Sequence, residues 1–212
     1  MFEKLIENLK VELKGSLPGK EAQFKMAPAG RRTDLQREMK LAADPTLSAV
    51  LILLYPKDNE PHICLILRNA YEGVHSQQVG FPGGKKEDLD ESLEHTALRE
   101  AGEEVGIDKD QVTLIGSLSQ LFIPPSGFLV YPYVGYSMEH PDFKLDQREV
   151  AKLIEMPVKR LGEEDVIKEK YITPSSGPGK MLVPYFDIDG HTVWGATAMI
   201  MSEFREILKR IT

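Results

Sequence analysis

The sequence has little cysteine, no long apolar run and no excess of positive charge, and each shortage excludes a class of protein. Its single cysteine, Cys64, lies in an apolar run and has no partner for an internal disulfide, so we expect a small buried hydrophobe and not a reactive thiol. No apolar run approaches the length of a membrane span. The formal net charge of −7 opposes binding of nucleic acid through a broad basic face.

The sequence also has no internal repeat and no low-complexity tract. The N-terminus is amphipathic and carries acids, unlike a secretory leader, so a reducing cytoplasm is the default location. With 212 residues, of which 42% are hydrophobic, the chain is long enough to bury a sizeable core. We expect an N-terminal helix and connecting arm over residues 1–34 and a main domain over 35–212.

Helical periodicity marks both ends of the chain. Apolar residues recur at helical spacing over 2–14, which predicts an amphipathic helix that packs on the body or on a partner chain. Binding to a membrane surface is the less favoured alternative, because the polar face mixes both signs of charge. Residues 15–32 have the composition of a connecting loop, and a second amphipathic helix is predicted over 197–211. These two helices leave a homodimer open.

Between the helices the sequence favours strands. Apolar and β-branched runs predict strands over 48–55 and 62–67, joined by a hairpin turn over 56–61. Further strands are predicted over 112–115, 129–136, 150–157, 167–172 and 183–188. Strands interleaved with substantial helices indicate a mixed β-sheet between helices, an α/β/α sandwich of the α/β or α+β class.

Three carboxylates lie close together near the end of a helix predicted within residues 83–107. At 3.6 residues per turn, Glu100, Glu103 and Glu104 fall on one side of that helix, where they repel one another and the helix dipole disfavours them. A positive partner should therefore compensate them. Hard oxygen ligands at this density suit Mg²⁺ or Mn²⁺.

The rest of this segment supports such a site. An apolar stripe on the helix leaves the carboxylates to point into a cleft. Arg99 lies four residues before Glu103 and can fix that acid or the preceding loop. Gly84 and Gly106 allow turns or close backbone approach at the two ends of the helix.

Residues 83–107 resemble the signature of the Nudix hydrolases, enzymes that cleave a diphosphate linked to another group. The second half of the signature, from Arg99 to Ile107, is matched at every defined position. The first half has one extra residue, so its early acid is either Asp90 or Glu91. The resemblance implies a Nudix-type α/β/α sandwich for the main domain.

The same resemblance implies the ligand set. Glu100, Glu103 and Glu104 would bind Mg²⁺ or Mn²⁺, with the Gly84 carbonyl as another ligand. The ions would neutralise the diphosphate and lower the pKa of a bound water. Glu149 is a candidate for the base that activates this water, and an exposed loop carboxylate paired with Arg148 is an equal alternative.

Two segments upstream, 65–68 and 75–84, resemble the motif of coenzyme A pyrophosphatases, in which the extra residue also occurs. This implies cleavage of coenzyme A or acyl-CoA to 3′,5′-ADP and a 4′-phosphopantetheine product. Gly73 and Gln77 depart from that motif, where arginine and glycine are common. Hydrolysis of ADP-ribose or another nucleoside diphosphate derivative is the first alternative, and a non-catalytic nucleotide sensor is the second.

Several residues outside the helix are candidates for substrate contact. Arg68 would face the substrate or form a surface ion pair, and His75 would contact the substrate or make a structural hydrogen bond. Arg31 and Arg32 would meet the 3′-phosphate of coenzyme A or remain solvated. Trp194 is expected to pack in the core or at an interface, ahead of an N-cap at Thr197.

Overall fold

A mixed β-sheet forms the centre of the fold. The computed structural model describes residues 1–28, 44–70, 77–173 and 179–211, and within these ranges it contains eleven strands and four α-helices. The strands are β1 (Thr46–Lys57), β2 (Glu60–Arg68), β3 (Val79–Gly80), β4 (Gly83–Lys85), β5 (Thr113–Ser117), β6 (Leu121–Ile123), β7 (Phe128–Tyr136), β8 (Val150–Pro157), β9 (Ile167–Ile172), β10 (Met181–Ile188) and β11 (His191–Val193). The helices are α1 (Phe2–Glu12), α2 (Gly19–Gln23), α3 (Leu93–Val105) and α4 (Gly195–Ile211).

Strand β1 organises the main sheet, whose central order is β3-β2-β1-β7-β5. It pairs antiparallel with β2 and β4 and parallel with β7, while β6 pairs with β7 and β8 with β2. The predicted hairpin is confirmed, and its turn is only Asp58 and Asn59, with φ of 50° and 62°. Positive φ at both central residues is the requirement of a type I′ turn, which asparagine and aspartate tolerate. Strands β9, β10 and β11 form a separate antiparallel sheet.

The main sheet is buried on both faces, because successive side chains of a strand point to opposite sides. On β1, Leu51 and Leu53 pack in the cluster that includes α3, whereas Ile52 and Leu54 pack in the cluster that includes α1 and α4. All four are fully buried. The predicted sandwich, a mixed sheet between helices, is confirmed.

The N-terminal arm is part of this core. Helix α1 packs on α4 and buries Ile6 and Leu9, as its periodicity predicts. The prediction of a loop over 15–32 is wrong for residues 19–26, where α2 and a 3-10 helix, Phe24–Met26, bury apolar side chains against α4. The composition of this stretch does not indicate these two short helices. The predicted domain boundary at 34/35 lies outside the described residues.

A buried carboxylate links the N-terminal arm to the rest of the fold. Glu203 of α4 is fully buried and accepts hydrogen bonds from the Gln23 amide at 2.8 Å, the Gly19 N–H at 3.0 Å and the Ser119 N–H at 3.2 Å. These donors satisfy a charge that would otherwise be costly to bury. No helix in the described ranges has the length and apolar character needed to cross a membrane.

Local sequence signals define helix α3. The Ser92 hydroxyl accepts from the His95 N–H at 3.1 Å and caps the first turn. Gly106 ends the helix in the left-handed conformation, at φ 72°. A side chain there would also meet the backbone of Lys144 at 2.6 Å. Both ends of the helix are therefore fixed, which holds its acids at constant positions against β4.

Candidate active site

Two glycines bring strand β4 against both β1 and helix α3. A Cβ atom on Gly83 would lie 2.3 Å from the Ala49 carbonyl oxygen, and the Gly83 φ of 150° also disfavours other residues. A Cβ atom on Gly84 would lie 2.4 Å from the Glu100 carboxylate. The Glu100 side chain thus rests directly on the backbone of β4. Any larger residue at 84 would displace it.

Glu104 is the most deeply buried acid of the site, with 2% of its surface exposed. It accepts from Arg68 Nη1 at 2.8 Å and from the Gly83 N–H at 2.8 Å. Arg68 also donates to the Gly83 carbonyl at 2.9 Å. Burial raises the pKa of Glu104 to about 7, although Arg68 and the Gly83 N–H oppose that rise. Additional positive charge at this position would be strongly stabilising.

Arg99 joins the remaining acids of the segment. Its guanidinium donates to Asp90 at 2.9 and 3.0 Å, to Glu103 at 2.8 Å and to Glu100 at 3.0 Å. The predicted contact with Glu103 is present, and so is one with the preceding loop, through the Lys85 carbonyl at 3.2 Å. Burial raises the pKa of Glu100, and Arg99 counteracts this. Arg99 therefore positions these carboxylates.

The structure selects Asp90 over Glu91 as the early acid that pairs with Arg99. Asp90 is 3% exposed and also accepts from the Glu87 N–H and the Thr96 hydroxyl, each at 2.9 Å. The hydrogen bonds from Arg99 hold the pKa of Asp90 well below its usual range. Glu91 is exposed. The extra residue of the segment is accommodated between Asp90 and Arg99.

A cavity of about 300 Å³ opens in front of Glu100 and Glu104. Its lining includes the polar residues Arg68, Gln78, Lys85, Glu149 and Thr197, and its apolar wall includes Ile123, Phe128, Val130 and Ile200. The lining thus combines charged and apolar side chains. A ligand that fills it should combine an anionic group with an uncharged one.

The predicted site residues divide into three groups. Arg68, Gly84, Glu100, Glu104 and Glu149 line the cavity. Glu103 and Arg99 are on the same helix as Glu100 but outside the cavity lining, and the 60% exposed side chain of Glu103 is bonded to Arg99. Arg31, Arg32 and His75 lie outside the described residues.

Glu149 is exposed at the rim of the cavity, next to Arg148 in the chain. The expected alternative was a carboxylate paired with Arg148. The guanidinium of Arg148 instead bonds Asp146, at 3.0 Å through Nε and 2.6 Å through Nη2. Glu149 therefore remains a candidate base.

The donor set fits a divalent cation. Glu100, Glu104 and the Gly84 backbone supply hard oxygen atoms to one cavity, and such ligands suit Mg²⁺ or Mn²⁺. No three His, Cys, Asp or Glu side chains in the described ranges converge into a ready metal site. Glu103 would have to leave Arg99 to join, which its exposure makes inexpensive. A cation here would also offset the charge that burial disfavours on Glu104.

Sequence reasoning missed the apolar wall and misassigned one helix end. Helix α4 begins at Gly195, so Thr197 is not its N-cap; its hydroxyl donates to the Val79 carbonyl at 3.0 Å. Gln77, where related motifs favour glycine, has a φ of 56°. The backbone there keeps the left-handed conformation that glycine would favour. That departure therefore leaves the local backbone path intact.

Comparisons with known proteins give matches at the level of family and fold. The NUDIX domain family model matches residues 45–174. The uncharacterized Nudix hydrolase NudL of Photorhabdus laumondii is 34% identical over 160 residues, covering 75% of this chain and 83% of the relative. NudL of Yersinia enterocolitica is 42% identical over 111 residues, which cover 52% of this chain but only 56% of that relative.

Among solved structures, the NUDIX domain of Shewanella oneidensis NrtR, complexed with ADP ribose, superposes with a TM-score of 0.52. The match covers 80% of this chain and 92% of that one, at 15% identity, and it supports the fold alone. The family match spans more than half of the chain, and the Photorhabdus relative is 34% identical over three quarters of it. The chain belongs to the Nudix hydrolase family.

Proposed function

We propose that this Nudix hydrolase is a Mg²⁺- or Mn²⁺-dependent pyrophosphohydrolase of coenzyme A or acyl-CoA. The products are 3′,5′-ADP and 4′-phosphopantetheine or its acyl derivative. The observation that carries the proposal is the mixed lining of one cavity, which combines the charged residues Glu100, Glu104 and Arg68 with apolar side chains. The charged residues suit a diphosphate with its cations, and the apolar side chains suit an uncharged arm.

The apolar wall favours coenzyme A over ADP-ribose. Ile123, Phe128, Val130 and Ile200 offer no hydrogen bonds from their side chains to the hydroxyl groups of a second ribose. Burying those hydroxyls without partners would cost roughly 1–3 kcal/mol each. The pantetheine arm is uncharged, and its geminal methyl groups and two ethylene units can pack on such a wall. The resemblance of residues 75–84 to the coenzyme A motif points the same way.

In the reaction, water attacks one phosphorus of the diphosphate and the bond from that phosphorus to the bridging oxygen breaks. A bound divalent ion would neutralise the diphosphate and make the water more acidic. Arg68 holds Glu104 in place and lies where it can also contact a phosphate oxygen. Glu149, at the rim, accepts the proton of the attacking water.

The test is a substrate panel of coenzyme A, acetyl-CoA and ADP-ribose at equal concentration, with Mg²⁺ or Mn²⁺ and product identification. We expect the coenzyme A compounds to be hydrolysed fastest. Equal or faster turnover of ADP-ribose would favour the alternative diphosphatase, and no metal-stimulated hydrolysis of any diphosphate would favour a sensor. In ¹⁸O-labelled water, the product that carries the label identifies the phosphorus attacked.

Two variants on helix α3 distinguish the loss of a charge at the site from the loss of a charge elsewhere on the helix. Glu104→Gln removes a charge that faces the cavity, whereas Glu94→Gln removes an exposed charge from the first turn. Loss of several kcal/mol of charge stabilisation corresponds to a rate loss of about a thousandfold for Glu104→Gln. Glu94→Gln should retain the parent rate. Near-normal turnover in Glu104→Gln would remove this residue from the site.

The pH dependence of turnover tests the role of Glu149 as the general base. Loss of a general base costs about 10²–10⁴-fold in rate, and hydroxide partly replaces the base as the pH rises. We therefore expect Glu149→Gln to lose most activity near neutral pH and less in alkali. Glu139, another exposed carboxylate, does not line the cavity and supplies the matched control, Glu139→Gln. A uniform loss at every pH would contradict the role of Glu149 as base.

A further inference from the structure

A second groove adjoins the catalytic cavity. It has a volume of about 440 Å³ and lies between edge strand β3 and the small sheet formed by β9, β10 and β11. Gln78 and Val79 line both the groove and the catalytic cavity, so the two share a wall. The volume lies within the range of small-molecule sites. A ligand whose diphosphate occupies the catalytic cavity can therefore extend towards this groove.

The groove combines a lysine ammonium and an imidazole with an aromatic ring. Lys170 of β9 and His191 of β11 line it, and Lys152 Nζ lies 3.1 Å from His191 Nε2. Trp194, the only tryptophan of the chain, also lines it and is partly buried. None of the described residues that line the groove is acidic, although the chain carries a net charge of −7. The groove therefore lacks the acidic side chains that predominate in the chain as a whole.

The small sheet holds these groups in place. Lys170 donates a hydrogen bond to the Thr192 hydroxyl, and its Nζ lies 5.2 Å from the centre of the Tyr185 ring. The lysine side chain thus crosses β10 towards β11. Because an ammonium group has three N–H donors, Lys170 can still donate hydrogen bonds to a ligand. Trp194 follows directly after β11, so the ring lies at the end of the sheet that carries the ammonium. An aromatic base and an anion bound here would meet a preformed surface.

We propose that this groove binds the adenosine 3′-phosphate end of the substrate, with the base on Trp194 and the phosphomonoester on Lys170 and His191. The assignment rests on the proposed hydrolysis of coenzyme A and fixes the orientation of that substrate. The pantetheine arm, which has no aromatic ring and no phosphomonoester, then takes the apolar wall of the catalytic cavity. Base stacking on an aromatic ring and charge-assisted bonds to phosphate are the two contacts that this end of the molecule requires.

Because Trp194 is the only tryptophan, its fluorescence reports on the groove directly, without turnover or metal. We would titrate the protein in EDTA with adenosine 3′,5′-bisphosphate and with AMP, which lacks the 3′-phosphate. Excitation at the red edge of indole absorption avoids the adenine band. We expect both nucleotides to change the emission and the bisphosphate to bind about tenfold more tightly, as one charge-assisted contact implies.

A pair of lysine variants on one strand provides the matched comparison. Lys170→Met removes the ammonium of the groove, while Lys168→Met makes the same change two residues earlier on the same face of β9. Lys168 is bonded to Asp187 and does not line the groove. The tenfold preference for the bisphosphate should disappear in Lys170→Met and persist in Lys168→Met. Should Lys170→Met unfold, His191→Gln takes its place with the same expected loss.

Equal affinity of the parent for AMP and the bisphosphate, or equal losses in the two lysine variants, would overturn the assignment. Turnover separates it from the proposed function. The ratio of kcat/KM for coenzyme A to that for 3′-dephospho-coenzyme A should fall about tenfold in Lys170→Met. If coenzyme A is cleaved but this ratio is unchanged, the groove assignment fails alone. If no diphosphate is cleaved, the proposed function fails and the fluorescence titration still decides whether the groove binds the nucleotide.

Discussion

Replacing Asp90 by asparagine tests which of two adjacent acids supports Arg99. Asp90 is buried and accepts two hydrogen bonds from the Arg99 guanidinium, whereas Glu91, the next residue, is exposed. The pair Asp90→Asn and Glu91→Gln removes one negative charge in each case, at neighbouring positions and with little change in volume. Only Asp90→Asn should lower the stability of the protein.

The magnitude follows from what the amide cannot replace. Breaking a buried ion pair by removing one charge costs about 3–5 kcal/mol, and a charge-assisted hydrogen bond contributes about 1.5–3 kcal/mol. The asparagine oxygen can still accept from the Glu87 N–H or the Thr96 hydroxyl, which places Asp90→Asn at the lower end, about 3 kcal/mol. At about 2–4 °C per kcal/mol for a chain of this size, the Tm falls by about 6–12 °C. Glu91→Gln should stay within about 0.5 kcal/mol of the parent.

Urea unfolding at several pH values measures this loss and its origin. Because the pKa of Asp90 is lower in the folded protein than in the unfolded chain, the charged form contributes stability that is fully present above about pH 4. That contribution is lost as the pH falls through the folded-state pKa. The free energy difference between parent and Asp90→Asn should therefore be largest near neutrality and shrink on acidification.

Two outcomes would refute the reasoning. A Glu91→Gln variant as unstable as Asp90→Asn would mean that the extra residue of the segment is accommodated differently from the structure. A stability difference for Asp90→Asn that does not change with pH would mean that lost packing, and not the charged pair, causes the effect. Mg²⁺ titration of the folded variant adds a further check, since Arg99 also holds Glu100 and Glu103.

Three further predictions concern the site and its approach. Gly84→Ala places a methyl group 2.4 Å from the Glu100 carboxylate. The Mg²⁺ affinity, measured by calorimetry, should therefore fall at least about tenfold. An unchanged affinity would exclude Glu100 from the metal site. Since metals bind deprotonated carboxylates, Mg²⁺ affinity should rise with pH up to the Glu104 pKa of about 7 and level off above it; a flat profile contradicts this. Gln77→Gly relieves a left-handed residue, so urea unfolding should show a stability equal to the parent or up to about 1 kcal/mol higher, and a clear loss would show that the side chain itself is needed.

The sequence predicted the central elements of the fold well because their patterns are local. Long apolar runs define β1 and β2, and helical periodicity defines α1 and α4. The strands it did not predict, among them β3 and β4, are two and three residues long and exist only because a neighbouring strand pairs with them. Helix α2 was missed for a related reason: its five residues are stabilised by packing against α4, which local composition does not report.

For the site, spacing along one helix was sufficient to gather the acids, but not to assign their partners. The choice between Asp90 and Glu91 depends on burial, which a sequence with one extra residue leaves undetermined. The apolar wall depends on Phe128 and Ile200, which lie far apart in the chain and meet only in the folded protein. Arg68 lines the cavity and pairs with the buried Glu104, so its ion pair belongs to the site and is not the surface pair that was the alternative.

The crowding of acids at the end of α3 is compensated only in part by the protein. Arg99 bonds Asp90, Glu100 and Glu103, and Arg68 bonds Glu104, so four carboxylates share two guanidinium groups within this hydrogen-bonded set. Two negative charges remain when all four acids are ionised, and the raised pKa of Glu104 reflects its burial within this set. One divalent cation would balance that remainder. Any further cation would have to be balanced by the ligand, which is the role a diphosphate fills.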